Sequence, residues 1–121
     1  MIKLLHVEDD PDIREIAKLS LEFSGKFEFV QCASGPDALA KLAEFTPDVV
    51  LLDMMMPGMT GKETLARMRL LPHMAHVPAV FVTARAQVSE MDELRAIGAA
   101  EVISKPFDPM ALGERVKKAM G

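Results

Sequence analysis

Short apolar runs alternate with segments in which apolar residues recur every three or four positions, and this alternation continues along the whole chain. Ile2 to Val7 is the first run, and Glu8-Asp9-Asp10-Pro11 ends it. From Asp12 the period turns helical through Ile13, Ile16, Ala17, Ser20 and Phe23, and Gly25 closes that helix. Phe27 to Cys32 alternates apolar with polar residues, the pattern of a strand wetter on one face. Ser34-Gly-Pro-Asp37 opens a helix with a capping serine, an early proline and an acid three residues on, and that helix is expected to reach Phe45. Asp48 to Asp53 and Pro78 to Thr83 are continuous apolar runs suited to strands buried on both faces. Between them lie the Pro/Gly loop 54–61 and a helix from Lys62 to Leu71. A helix over Gln87 to Ile97, closed by Gly98, is followed by a short strand from Glu101 to Ser104. Asp108-Pro109 then caps and opens the last helix, with Lys117 and Lys118 in its final turns. Five strands alternating with five helices imply a parallel sheet covered on both faces. The expectation is one three-layer α/β domain spanning residues 1–121.

The polar residues that interrupt this pattern all fall where a strand ends. Glu8, Asp9 and Asp10 follow the first strand, Asp53 ends the third, Thr83 ends the fourth and Lys105 follows the fifth. In a parallel sheet these points share one edge, beyond the carboxyl ends of the strands, where open α/β sheets bind ligands. Two unit charges 4 Å apart repel by roughly 4 kcal/mol at an effective dielectric near 20. Converging carboxylates therefore keep a proton or recruit a cation. No Cys or His adjoins these acids, and an all-oxygen donor set selects a hard cation, Mg²⁺ more readily than a full calcium cage. A carboxylate, a hard cation, a lysine and a hydroxyl together are the parts of a phosphoryl-transfer site. Asp53 is then a candidate nucleophile.

The segments Val7-Glu-Asp-Asp-Pro-Asp-Ile-Arg14, Asp53-Met-Met-Met-Pro-Gly-Met-Thr-Gly61, Val82-Thr-Ala84 and Lys105-Pro-Phe107 resemble, in order and spacing, the four signatures of response-regulator receivers. The similarity covers essentially the whole chain. It implies a doubly wound, flavodoxin-like sheet of order 2-1-3-4-5 and a signalling switch that catalyses only its own phosphorylation and dephosphorylation. By this resemblance Asp53 accepts the phosphoryl group, and Mg²⁺ is bound by Asp9 and Asp53 directly, by Glu8 through water and by the Met55 carbonyl. Thr83 and Ala84 contact the phosphoryl oxygens, Lys105 pairs with the group, and the Lys105–Pro106 bond is cis. The implied partners are a histidine kinase or histidine phosphotransfer protein as donor, docking near the first helix, and a downstream protein target. The chain is expected to be a monomer or a weak phosphorylation-dependent dimer. One position departs from the family pattern. Three residues before the lysine many receivers carry Tyr or Phe, and this chain has Val102. Phosphorylation is therefore expected to perturb the loops after Asp53 and Thr83 more than the surroundings of Val102, as amide exchange would register.

Other classes fit less well. A flavodoxin-like electron carrier needs a hydroxyl- and glycine-rich phosphate loop after the first strand, where Glu8-Asp9-Asp10 repels phosphate. An aspartate-nucleophile phosphatase carries a second acid two residues after the nucleophile, where Met55 stands. The Gly-x-Gly-x-x-Gly fingerprint of dinucleotide enzymes is absent. A formal charge of −4 and no Lys/Arg run argue against direct nucleic-acid binding. The lone Cys32 precludes an internal disulfide, and no apolar run approaches a membrane span, so a cytoplasmic location without membrane contact is expected. Met54, Met55, Met56 and Met59 read as gap-fillers around a loop, His6 as a core residue, and His73 and His76 as solvated.

Overall fold

A computed structural model describes residues 1–84 and 87–121. Its strands are β1 (Ile2–Val7), β2 (Phe27–Cys32), β3 (Val49–Asp53), β4 (Ala79–Thr83) and β5 (Ala99–Ser104). The helices are α1 (Pro11–Ser24), α2 (Gly35–Lys41), α3 (Gly61–Met68), α4 (Val88–Ala96) and α5 (Leu112–Ala119). All strand pairings are parallel and the order is β2-β1-β3-β4-β5. The direction in which successive strands are added reverses between β1 and β3, which pair in parallel with Val7 beside Leu52.

Strand alternation sorts the core into two layers. Leu4, Val49, Leu51, Val80, Val82 and Ile103 pack with Ala17 and Leu21 of α1 and with Leu112 and Val116 of α5. Leu5, Val7, Val50, Leu52, Phe81 and Val102 point the other way, against Ala38, Leu65, Met68 and Leu94 of α2, α3 and α4. All five residues of β3 and of β4 are buried, which matches their unbroken apolar sequences. The edge strand β2 is only part-buried between Phe27 and Cys32, as its alternation implied.

The helix starts follow local chemistry. Asp10 caps α1 by accepting from the amides of Asp12 and Ile13, and Ser34 caps α2 by accepting from Asp37. Thr60 and Glu63 form a reciprocal capping box on α3. Gly25 ends α1 at φ 71°, a left-handed conformation that side chains disfavour.

Several boundaries differ from the sequence reading: α3 ends at Met68 rather than Leu71, and β5 begins at Ala99 rather than Glu101. The second helix stops at Lys41, and residues 42–44 continue as tighter turns, with the Ala43 amide bonded to the Ala40 carbonyl and Glu44 to Lys41. Pro72–Met74 forms one 3-10 turn inside the connection before β4. The last helix begins at Leu112 rather than at Asp108-Pro109. Asp108 does turn the chain by accepting from the Met110 amide at 2.9 Å. The Pro109 carbonyl, however, is taken by the Ser20 hydroxyl of α1, so docking against α1 delays the first regular helical turn. His6 and Cys32 are buried, and His73 and His76 are exposed. Among the described residues no helix is long and apolar enough to cross a membrane.

Candidate phosphoacceptor site

The alternation that builds the two core layers also aims the acids. Continuing past Leu4 and His6, Glu8 projects to the α1/α5 side. Asp53 follows Val49 and Leu51 to that side, and Lys105 follows Ile103. The three side chains therefore meet at the carboxyl edge, astride the β1/β3 reversal. Carboxylate oxygens of Glu8, Asp9 and Asp53 lie within 4.8 Å of one another. Lys105 Nζ is 2.9 Å from Glu8 Oε1 and 3.0 Å from Asp53 Oδ1. Glu8 is 1% exposed and Asp53 3%, whereas Asp9 is half-buried at the mouth.

The strand-end loop after Asp53 is short and folds back on itself. The Met54 amide donates to the Val82 carbonyl, and the Gly61 amide donates to the Met54 carbonyl at 2.9 Å. At Gly61 a Cβ would lie 2.3 Å from the Asp53 carbonyl oxygen, so only glycine lets α3 start this close to the acidic strand end. Met55 is exposed on the loop, and Met56 is buried beneath it.

Thr83 is buried at the end of β4, and its carbonyl accepts the Lys105 amide at 2.8 Å. That bond fixes the segment from which Lys105 reaches inward. Ala84 is exposed at the next position, and the Lys105–Pro106 peptide is cis. Val102 does not reach the site. It lies buried beside Phe81 in the layer under α4.

Sequence reasoning treated Lys105 as a partner for the phosphoryl group alone and missed its bond to Glu8. It also missed the bracing of the first loop by Arg14, whose guanidinium donates to the carbonyls of Glu8 and Asp9. Arg14 was visible only as part of the first signature.

Three carboxylates and one ammonium leave two negative charges uncompensated when all are ionised. Burial raises the Glu8 carboxyl to about 7, and the nearby Asp53 charge adds to this, while hydrogen bonds from Lys105 and the Asp10 amide oppose it. Lys105 is disfavoured as a cation by its own burial, yet its bonds to Glu8 and Asp53 outweigh this and raise its pKa. His6 of β1, two residues before Glu8, is lowered to about 4 by burial and by the charges of Arg14 and Lys105.

These two shifts have opposite consequences. Glu8 is raised from 4.5, so in the metal-free protein its contribution is most favourable at acid pH and is lost as pH rises toward 7. His6 is lowered from 6.5, so its contribution is present above 6.5 and is lost as pH falls toward 4. Between about pH 4.5 and 6.5 they offset each other. Glu8→Gln removes one side of this balance. In EDTA the variant should be more stable than wild type at pH 8, and the difference should shrink or reverse at pH 5. The His6 shift alone is worth about 3 kcal/mol over its range. Urea unfolding at the two pH values provides the check, and a constant separation between the curves would mean Glu8 titrates as an ordinary carboxyl.

A family model described as the response regulator receiver domain matches residues 4–117. The chain belongs to that family. It is thus a receiver domain, the phosphoacceptor switch module of two-component signalling. The receiver is 36% identical over 115 residues to the phosphate regulon transcriptional regulatory protein PhoB of Rhizobium meliloti, an alignment covering 95% of this chain and 50% of that protein. It spans about half the length of the curated relatives it matches. Among solved structures it superposes on the chemotaxis response regulator CheY4 of Vibrio cholerae with a TM-score of 0.90 and 31% identity, covering 98% of both chains. A receiver domain protein from Methanospirillum hungatei gives 0.86 and 29%, covering 99% of this chain and 94% of that one.

Proposed function

We propose that this receiver is switched by phosphoryl transfer to Asp53, and that Glu8, Asp9, Asp53 and the Met55 carbonyl hold the Mg²⁺ required for it. The observation that carries this reading is the convergence of Glu8, Asp9 and Asp53 within 4.8 Å, with Lys105 bonded to Glu8 and Asp53. An all-oxygen donor set with excess negative charge suits a small hard dication. When bound, that ion draws charge from the transferring oxygens and permits an anionic donor to approach.

An Asp53 carboxylate oxygen attacks phosphorus, the bond from phosphorus to the donor nitrogen or oxygen breaks, and an aspartyl phosphate forms as the donor leaves with the bonding pair. Lys105 is already bonded to Asp53 and follows the new negative charge, which loosens its pairing with Glu8. Thr83 supplies a hydroxyl and Ala84 a main-chain amide to the phosphoryl oxygens. Burial of Asp53 limits access to donors that present phosphorus from the mouth, where Asp9 lies.

The donor is a histidine kinase or a histidine phosphotransfer protein. Support comes from α1, where Ile16, Leu19 and Phe23 are exposed and continue onto Pro109 and Met110 around a groove of about 340 Å³. An exposed apolar stripe of this kind fits the face of a donor helix. The output is contact with a downstream protein, from a monomer or a weak phosphorylation-dependent dimer, in the cytoplasm, and the domain acts on no separate substrate. The test is incubation with acetyl phosphate and Mg²⁺ followed by intact mass measurement. One phosphoryl adduct is expected with Mg²⁺ and none in EDTA; absence of an adduct in both overturns the reading.

A further inference from the structure

The loop that carries Glu8 and Asp9 lies past Val7, the last residue of β1, so most of it is outside the ladder that holds the sheet. The Glu8 amide still pairs with the Cys32 carbonyl at 3.0 Å. The next two carbonyls are taken from behind by one side chain. Arg14, half-buried at the end of the first turn of α1, donates from one guanidinium nitrogen to the Glu8 carbonyl at 2.8 Å and to the Asp9 carbonyl at 3.0 Å. Arg14 is itself anchored. Gln31 of β2 donates to the Arg14 carbonyl at 2.8 Å, and the same amide nitrogen lies 3.1 Å from His6 Nδ1.

Such bracing has a physical purpose. Glu8 and Asp9 bring two negative charges toward a third on Asp53, and repulsion favours swinging a short loop out to solvent. Charge-assisted hydrogen bonds to the main chain resist that motion more strongly than neutral ones. They do so without occupying a carboxylate oxygen that a cation needs. Groups that orient metal ligands from outside the ligand set commonly govern affinity. We propose that Arg14 is a positioning residue for the divalent-cation site: it clamps the Glu8 and Asp9 main chain so that both carboxylates face Asp53, and Gln31 anchors the clamp.

This inference rests on the reading that Glu8, Asp9 and Asp53 hold the cation, and the experiment separates the two. Magnesium chloride is titrated calorimetrically into the wild-type protein, Arg14→Met, Arg14→Lys and Gln31→Met, and each is also unfolded in urea with EDTA. Arg14→Met should weaken Mg²⁺ binding roughly tenfold. Arg14→Lys, which keeps the charge but lacks the planar guanidinium, should recover only part of the lost affinity. Gln31→Met should weaken binding while Arg14 stays in place. A purely structural role predicts something else: a lowered urea midpoint in Arg14→Met with Mg²⁺ affinity at the wild-type value, and that result overturns the proposal. Should Arg14→Met fail to fold, Gln31→Met decides, and undiminished affinity there overturns it equally. If the wild-type protein binds no Mg²⁺ at all, the cation reading itself falls and takes this inference with it.

Discussion

Asp53→Asn is expected to eliminate the phosphoryl adduct completely while leaving the fold intact. The amide keeps the shape of the carboxyl and can still accept from Lys105, so the buried position is not emptied. It cannot act as an anionic nucleophile, and no other carboxylate in the cluster combines its burial with its position at the end of a central strand. Glu8 is as deeply buried, but its Oε2 accepts the Asp10 amide and its Oε1 is bonded to Lys105. Intact mass after acetyl phosphate and Mg²⁺ should show one adduct on wild type and none on the variant. An undiminished adduct in Asp53→Asn would transfer the acceptor role to another residue, which peptide mapping would then locate.

Asp9→Ala should give the second large effect, on metal binding. Asp9 is the half-buried member of the cluster and stands at its mouth, where an entering cation meets it first. Loss of a direct oxygen ligand should weaken Mg²⁺ affinity by at least about 100-fold, the upper end of what loss of an outer-shell group costs. The same change removes one of three mutually repelling carboxylates. In EDTA the variant should therefore be more stable than wild type by about 1 kcal/mol, a modest figure because Asp9 is partly screened by solvent. Calorimetric titration and urea unfolding test the two halves separately. Wild-type Mg²⁺ affinity in Asp9→Ala would remove Asp9 from the ligand set. Lowered metal-free stability would show that its carboxylate is held by favourable contacts that outweigh the repulsion.

The element order and the edge on which the polar residues gather were legible in the residues alone. Both are local signals. A run such as Val49–Asp53 is apolar because its own strand is buried on both faces, and Asp10, Ser34 and Gly25 mark helix ends through bonds within a few residues. A parallel sheet then puts every strand end with the same polarity on one side, so Glu8, Asp53, Thr83 and Lys105 were bound to share an edge once the strands were recognised. The start of α5 was misplaced for a reason the local pattern could not carry: Ser20, 89 residues away, takes the Pro109 carbonyl. The internal wiring of the site was likewise decided by the tertiary structure. Lys105 divides itself between Asp53, 52 positions earlier, and Glu8, and this sharing depends on the β4/β5 register that sets Ser104 beside Thr83. Burial of Glu8 and His6, which moves their protonation in opposite directions, requires α1 and the edge strand β2 to close over them. Arg14 turns back from α1 because two strand-end carbonyls lie within its reach and Gln31 of β2 holds its main chain. None of these has a periodicity, because each depends on where distant segments come to rest, and only the packed sheet brings those segments together.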